Sequence, residues 1–224
     1  MLEQYFGTKS TNNEQFIIDS ILEHTMIDEE KLYLLQIMIK NLCSKNYEEI
    51  EDIHNKIIAI RNDSIHIFEY IEEQITQAHL DFQKRYDFLR IFQRKQVISS
   101  EVLRCSENIV IFVRLNANFP SVFCNNIESL IHNCIQAHEF FKKALMMYDK
   151  NKNDVFDSIH KVVNIKNSIQ KIYFESVENI YQLANQGQLK LGDMRSIENI
   201  FSNLESMSTS IESASTSLEW LLIS

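Results

Sequence analysis

The chain has 224 residues, of which 45% are hydrophobic, and its formal net charge is −9 because 31 acidic residues outnumber 22 basic ones. A chain of this length buries a core that needs neither a disulfide nor a metal, and its acidity disfavours nucleic acid and anionic lipid as partners. No apolar run approaches the roughly 18 residues needed to cross a bilayer, and residues 1–10 lack a signal-peptide pattern, so we expect a cytoplasmic protein with no direct membrane insertion.

Only three glycines and one proline occur in the chain, which predicts long helices joined by short turns. The four cysteines contain no Cys-x-x-Cys pair, so we expect reduced thiols. They are Cys43, Cys105, Cys124 and Cys134.

Residues 1–13 are polar and are predicted to form an N-terminal arm. Apolar residues then recur every three or four positions, which is typical of amphipathic helices. Three helices are predicted, at Glu14 to Ser44, Tyr47 to Ala78 and Gln83 to Leu115, and Asp81 is placed to cap the third.

Polar residues interrupt two of these apolar stripes. Thr25 and Asp28 fall on the stripe of the first helix, where we expect a break or a polar pocket. Lys95 lies on the stripe of the third helix. A buried unpaired ammonium group costs several kcal/mol, so Lys95 is predicted to meet a carboxylate such as that of Asp28, or to reach solvent.

The segment from Asn116 to Ser121 contains the single proline and marks the clearest boundary. Three more helices are predicted beyond it, at Val122 to Tyr148, at Asp154 to Asn185, and after a turn that holds Gly187 and Gly192. We therefore expect two three-helix repeats, 14–119 and 120–224, which together form one domain. Aligning Ile57 with Val162 also aligns Ile60 with Ile165, Ser64 with Ile169 and Ile67 with Ile172.

The sixth helix has the most regular pattern in the chain, with a four-then-three spacing from Met194 to Leu222 that lasts about four heptads. Its small residues Ser208 and Ser215 permit close approach of another helix, most simply within the chain. A row of glutamates follows the apolar stripe and is either an acidic partner-binding face or a solvated flank that pairs with neighbouring lysines. The row consists of Glu198, Glu205, Glu212 and Glu219. The whole pattern predicts an all-α, elongated, antiparallel six-helix bundle.

Several short motifs occur in the order and spacing of a known family. They are Glu23-His24, Leu34-Leu35, Asn46-Tyr47-Glu48-Glu49, Arg85-Tyr86-Asp87-Phe88-Leu89, and the run from Leu204-Glu205 to Ile211-Glu212. With six long helices, the chain resembles the PhoU-like phosphate transport regulators, in particular the two-repeat branch associated with Pit-type transporters. The resemblance implies a PhoU-like fold and a non-enzymatic protein that binds a membrane phosphate transporter or its signalling partner. A homodimer is left open.

The family carries paired acids, one helical turn apart, that bind multinuclear iron or other metal clusters. Two carboxylates at that spacing share a helix face and can bridge hard cations. The resemblance implies that most of these acids are replaced here, and that only Glu205 and Glu212 remain acidic, so we predict no metal site and no cofactor. The substituted positions are Arg61, Ile65, Gln96, Ser100, Lys166, Gln170 and Thr209.

An alternative is a di-iron helical bundle built on two short motifs, Glu51 with His54 and Asp157 with His160. Such bundles point two Glu-x-x-His motifs inward, whereas the apolar stripe of the second helix turns Glu51 away from the core. A further alternative is an unrelated helical scaffold. No nucleophile motif or phosphate-binding glycine loop favours an enzyme.

The third predicted helix also carries a basic set that could hold phosphate or a phosphorylated partner. Its members are Lys84, Arg85, Arg90, Arg94, Lys95 and Arg104.

Overall fold

In the computed structural model, the backbone is described for residues 3–223 and the side chains for residues 14–223. The described chain forms six α-helices and one short 3-10 turn, and no strand occurs in it, which confirms the all-α fold class. The helices are α1 (Glu3–Ser44), α2 (Ile50–Gln77), α3 (Phe82–Arg114), α4 (Cys124–Met147), α5 (Lys152–Asn185) and α6 (Leu191–Ile223), and the 3-10 turn is Ser121–Phe123.

Helix α1 begins at Glu3 rather than near Glu14, so the backbone of residues 3–13 continues the first helix where an arm was expected. The single glycine of this segment, Gly7, costs only about 1 kcal/mol relative to alanine in a helix, and no proline interrupts the run. The side chains of residues 1–13 lie outside the described part.

The helix ends follow the local signals of the sequence. The Asp81 carboxylate accepts a hydrogen bond from the Lys84 amide at 2.8 Å, which confirms the predicted cap of α3. Gly187 follows α5 with a φ of 73°, a left-handed conformation that glycine adopts without a steric penalty. Most turns are therefore short, and consecutive helices pack side by side within α1–α3 and within α4–α6.

The first three helices all contact one another, and so do the last three. The two groups are joined by extensive packing of α3 against α6 and by contacts between α1 and α4. Edge-to-face aromatic contacts run from Phe112 on α3 through Phe119 and Phe123 to Phe201 on α6. The proline-containing boundary thus contributes a buried ring to one continuous core.

Buried serines line the α6 surface that packs inside the bundle. The Ser208 hydroxyl donates to the Glu205 carbonyl oxygen at 2.8 Å, and the Ser215 hydroxyl donates to that of Ile211 at 2.8 Å. Because each hydroxyl is satisfied within its own helix, these small side chains let a neighbouring helix approach without burying an unpaired polar group. The intramolecular packing predicted for α6 is confirmed.

Candidate functional site

A cluster of charged side chains is buried between α1, α3 and α4. Asp28, Lys31 and Lys95 have no solvent-exposed surface. Lys95 Nζ lies 2.5 Å from Asp28 Oδ2, and Lys31 Nζ lies 2.7 Å from Asp28 Oδ1. The pairing predicted for Lys95 is confirmed, and one carboxylate serves two ammonium groups.

Two further side chains complete this cluster. Lys31 donates a hydrogen bond to the Ser99 hydroxyl, and Lys95 contacts Nδ1 of His24. Burial and, to a smaller extent, the neighbouring Lys95 charge lower the pKa of His24 to about 4. Nδ1 of a neutral His24 ring is therefore an acceptor for the Lys95 ammonium group.

The protonation states of the cluster follow from a balance of burial and charge. Burial lowers the pKa of Lys95 to about 8, although the attraction of Asp28 opposes this shift. Burial alone raises the pKa of Asp28, but the Lys95 and Lys31 charges outweigh it and hold that pKa below its ordinary value of 3.8. Near neutral pH, Asp28 is ionised and Lys95 is largely protonated.

His138 of α4 faces the same region and is only 1% exposed. Neither of its ring nitrogens has a hydrogen-bond partner among the described side chains. Burial lowers its pKa to about 4, and the charges of Asp28 and Lys95 also act on it. An unpartnered buried ring resists protonation, so His138 makes the bundle centre sensitive to acid.

Sequence reasoning identified Asp28 and Lys95 and missed the rest of the cluster. His24, Asp28 and Lys31 are spaced four and three apart and so share one face of α1, a signal present in the sequence. Because Asp28 satisfies both lysines, this cluster is suited to align α1 with α3 rather than to bind a ligand, which is our hypothesis for its role. It contains no activated nucleophile.

The structure shows what surrounds the positions that correspond to the metal ligands of the PhoU-like family. Arg61 and Ile65 are exposed on α2. On α5, Lys166 Nζ donates to Gln170 Oε1 at 3.2 Å, and on α6 the Thr209 hydroxyl donates to Glu205 Oε1 at 3.0 Å. Among the described side chains, no three His, Cys, Asp or Glu residues are grouped so that they could hold a metal ion.

The two motifs of the di-iron alternative are engaged elsewhere or exposed. Glu51 Oε1 accepts from Arg114 Nε at 2.8 Å, and His54 Nδ1 lies 2.9 Å from the Ser106 hydroxyl. Asp157 and His160 are exposed on α5. Helix α2 packs on α1 and α3 whereas α5 packs on α4 and α6, and the structure does not unite the motifs in one ligand set.

Comparison with solved structures identifies the fold. A protein from Shewanella oneidensis MR-1 named as a PhoU-like phosphate regulatory protein matches with a TM-score of 0.75 and 13% identity, covering 92% of this chain and 99% of the other. A PhoU-like protein from the same organism matches with a TM-score of 0.78, the same identity and the same coverage. This chain has a PhoU-like fold. No family model matches the sequence, and no curated protein matches it by sequence.

In this PhoU-like bundle, the four glutamates of the α6 row are half-buried along one flank. Glu198 accepts hydrogen bonds from the Tyr181 hydroxyl at 2.7 Å and from Arg195 at 3.1 Å. Glu198 and Glu205 thus contact tyrosine, arginine and threonine rather than the neighbouring lysines of the solvated-flank interpretation. A role of Glu198, Glu205, Glu212 and Glu219 in partner binding stays a prediction.

None of the described helices of this PhoU-like bundle combines the length and apolar character that a bilayer crossing requires.

Proposed function

We propose that this chain is a non-enzymatic regulatory or accessory protein of inorganic phosphate transport. It acts in the cytoplasm by binding a membrane phosphate transporter or the signalling partner of that transporter. The observation that supports the proposal most is the PhoU-like fold across 92% of the chain, shared with a protein named for phosphate regulation. The rigid helical surface, rather than a reactive centre, is the functional element.

Co-purification tests this function directly. The tagged chain is expressed with an inorganic phosphate permease of the same organism or with the permease's signalling partner, and the membranes are solubilised in a mild detergent. We expect the tagged chain to retain one of the two through washing. Loss of both, under conditions in which the permease itself stays intact, would argue against the function.

We also propose that the multinuclear metal sites of the family have been lost. The exposed guanidinium group of Arg61 and the apolar Ile65 stand where two carboxylates would be needed, and Lys166 is bonded to Gln170. Elemental analysis of the purified protein should therefore find iron and zinc well below one equivalent.

The double variant Arg61→Glu, Ile65→Asp is the matched control for that measurement. It restores two carboxylates one helical turn apart and should take up more iron than the wild-type protein. Stoichiometric iron or zinc in the wild-type protein would refute the proposed loss and favour the metalloprotein alternative.

Residues 14–119 and 120–224 are proposed to be two copies of one three-helix unit. The contacts between helices support this proposal. In each half, every one of the three helices contacts the other two. Superposition of α1–α3 on α4–α6 in the same helix order tests it. Failure of the two halves to share one topology would leave the fold class intact and remove the repeat.

A further inference from the structure

The basic set of α3 does not form the single face that its sequence suggested. Four of its six members already have a partner within the chain, because each contacts a carboxylate or a backbone carbonyl oxygen. Lys84 lies 2.7 Å from Glu14, Arg85 donates to the Ala78 carbonyl oxygen at 3.1 Å, Lys95 pairs with buried Asp28, and Arg104 lies 2.8 Å from Glu101.

The remaining two members are Arg90 and Arg94. The Arg90 guanidinium group lies 4.6 Å from the centre of the Trp220 ring, which α6 presents beside α3. This is a cation–π contact and leaves the donors of the guanidinium edge available. No carboxylate of residues 14–223 lies within ion-pair distance of either arginine.

These two arginines line a shallow, open surface groove with a volume of about 430 Å³, and all of its lining residues lie on one face of α3. Its walls also include exposed aromatic and aliphatic groups, since Tyr86 is 53% and Val97 is 38% exposed. Trp220 is not a lining residue but contacts Arg90 at the edge of this groove, and it is 49% exposed. The lining residues are Tyr86, Leu89, Arg90, Gln93, Arg94 and Val97, and none of them is acidic.

Composition and charge indicate what this groove would hold. Tryptophan, tyrosine and arginine are the residue types that most often dominate the energy of protein interfaces. The chain as a whole carries a charge of −9, yet the groove carries two arginines that have no acidic partner among residues 14–223. A basic partner would be repelled here, whereas an acidic one would gain charge-assisted hydrogen bonds from two planar guanidinium groups.

We infer that this groove, which we call the Arg94 groove, docks an acidic segment of a partner protein. The segment carries carboxylates on either side of an apolar residue. The carboxylates bind Arg90 and Arg94, and the apolar side chain packs on Tyr86, Val97 and the Trp220 ring. This inference rests on the proposed function and names the surface through which the chain would act.

Trp220 is the single tryptophan of the chain, so its fluorescence reports on the groove. The probe is a short peptide of alternating Glu and Leu, and the matched control replaces each Glu by Gln. We expect the acidic peptide to change the Trp220 emission with saturation. Its affinity should exceed that of the glutamine peptide by about tenfold or more, because both arginines contribute charged hydrogen bonds.

Arg94→Glu is the decisive variant, and Arg61→Glu on α2 is its control. Both arginines are exposed, and both substitutions change the net charge equally, so a general charge effect would act on both variants alike. Arg94→Glu should weaken binding of the acidic peptide by about tenfold or more, while Arg61→Glu leaves it near the wild-type value. Urea unfolding verifies that both variants keep the wild-type stability.

Several outcomes would overturn the inference. They are equal affinity for the two peptides, no binding of either, and equal sensitivity to the two arginine variants. A tighter response of Trp220 to inorganic phosphate or to vesicles that contain phosphatidylserine would assign the groove to a different ligand.

The co-purification assay separates this inference from the function on which it rests. If the wild-type chain retains neither the permease nor its signalling partner, the proposed function fails. If the wild-type and Arg94→Glu chains retain the partner equally, the function stands and the Arg94 groove is not the docking surface.

Discussion

Asp28→Asn is expected to lower the free energy of unfolding by about 3–5 kcal/mol, the range for removing one partner of a buried ion pair. The substitution keeps the size and shape of the side chain, so packing is nearly unchanged. It removes the one charge that compensates Lys31 and Lys95, both of which are fully buried. Urea denaturation followed by the helical circular dichroism signal measures the effect.

Two controls separate uncompensated charge from other effects. Asp157→Asn on α5 removes an exposed carboxylate and should change stability by less than about 0.5 kcal/mol. The triple variant Asp28→Leu, Lys31→Met, Lys95→Met replaces the charged cluster with apolar groups and should recover most of the loss, because such replacements are often neutral. An Asp28→Asn protein as stable as the wild-type protein would refute this account of the cluster.

Acidification from pH 6.5 to pH 4 is expected to destabilise the bundle through His24 and His138. Both pKa values are lowered from 6.5 to about 4 in the folded protein, mainly by burial. In this pH range the two histidines bind more protons in the unfolded chain than in the folded chain. The free energy of unfolding therefore falls as the pH falls. Each histidine contributes up to about 3 kcal/mol to this loss, because one pKa unit corresponds to about 1.4 kcal/mol.

Urea midpoints measured between pH 7 and pH 4 reveal this dependence. His138→Leu removes an unpartnered buried ring and should reduce the acid-induced loss by about half, whereas His160→Leu, at an exposed position on α5, should preserve it. Asp28 contributes little in this range, since most of its stabilisation is lost below its ordinary pKa of 3.8. An unchanged slope in the His138→Leu protein would contradict this assignment.

Part of the buried cluster was accessible to sequence reasoning. A lysine on an apolar stripe requires an acid, and Asp28 occupies an apolar stripe on another helix, so the pair was predictable. Lys31 and His138 were not identified, because the partner of a side chain depends on which helices become neighbours. The same limit applies to the α3 basic set. Only the folded chain distinguishes Lys84, which pairs with an acid, from Arg94, which has no carboxylate of residues 14–223 within ion-pair distance.

The short-range pattern of the sequence was sufficient to determine the helices. The spacing of apolar residues, the scarcity of glycine and proline, and a capping aspartate at position 81 are short-range properties, and they suffice for an all-α bundle with short turns. Only the tertiary structure decided that Asp28 pairs with two lysines, that Phe119 packs into a shared core, and that no carboxylate of residues 14–223 lies within ion-pair distance of Arg90 or Arg94. The reason is physical: side-chain energies depend on distances between residues far apart in the chain, and packing of α1 and α3 against α4 and α6 sets those distances.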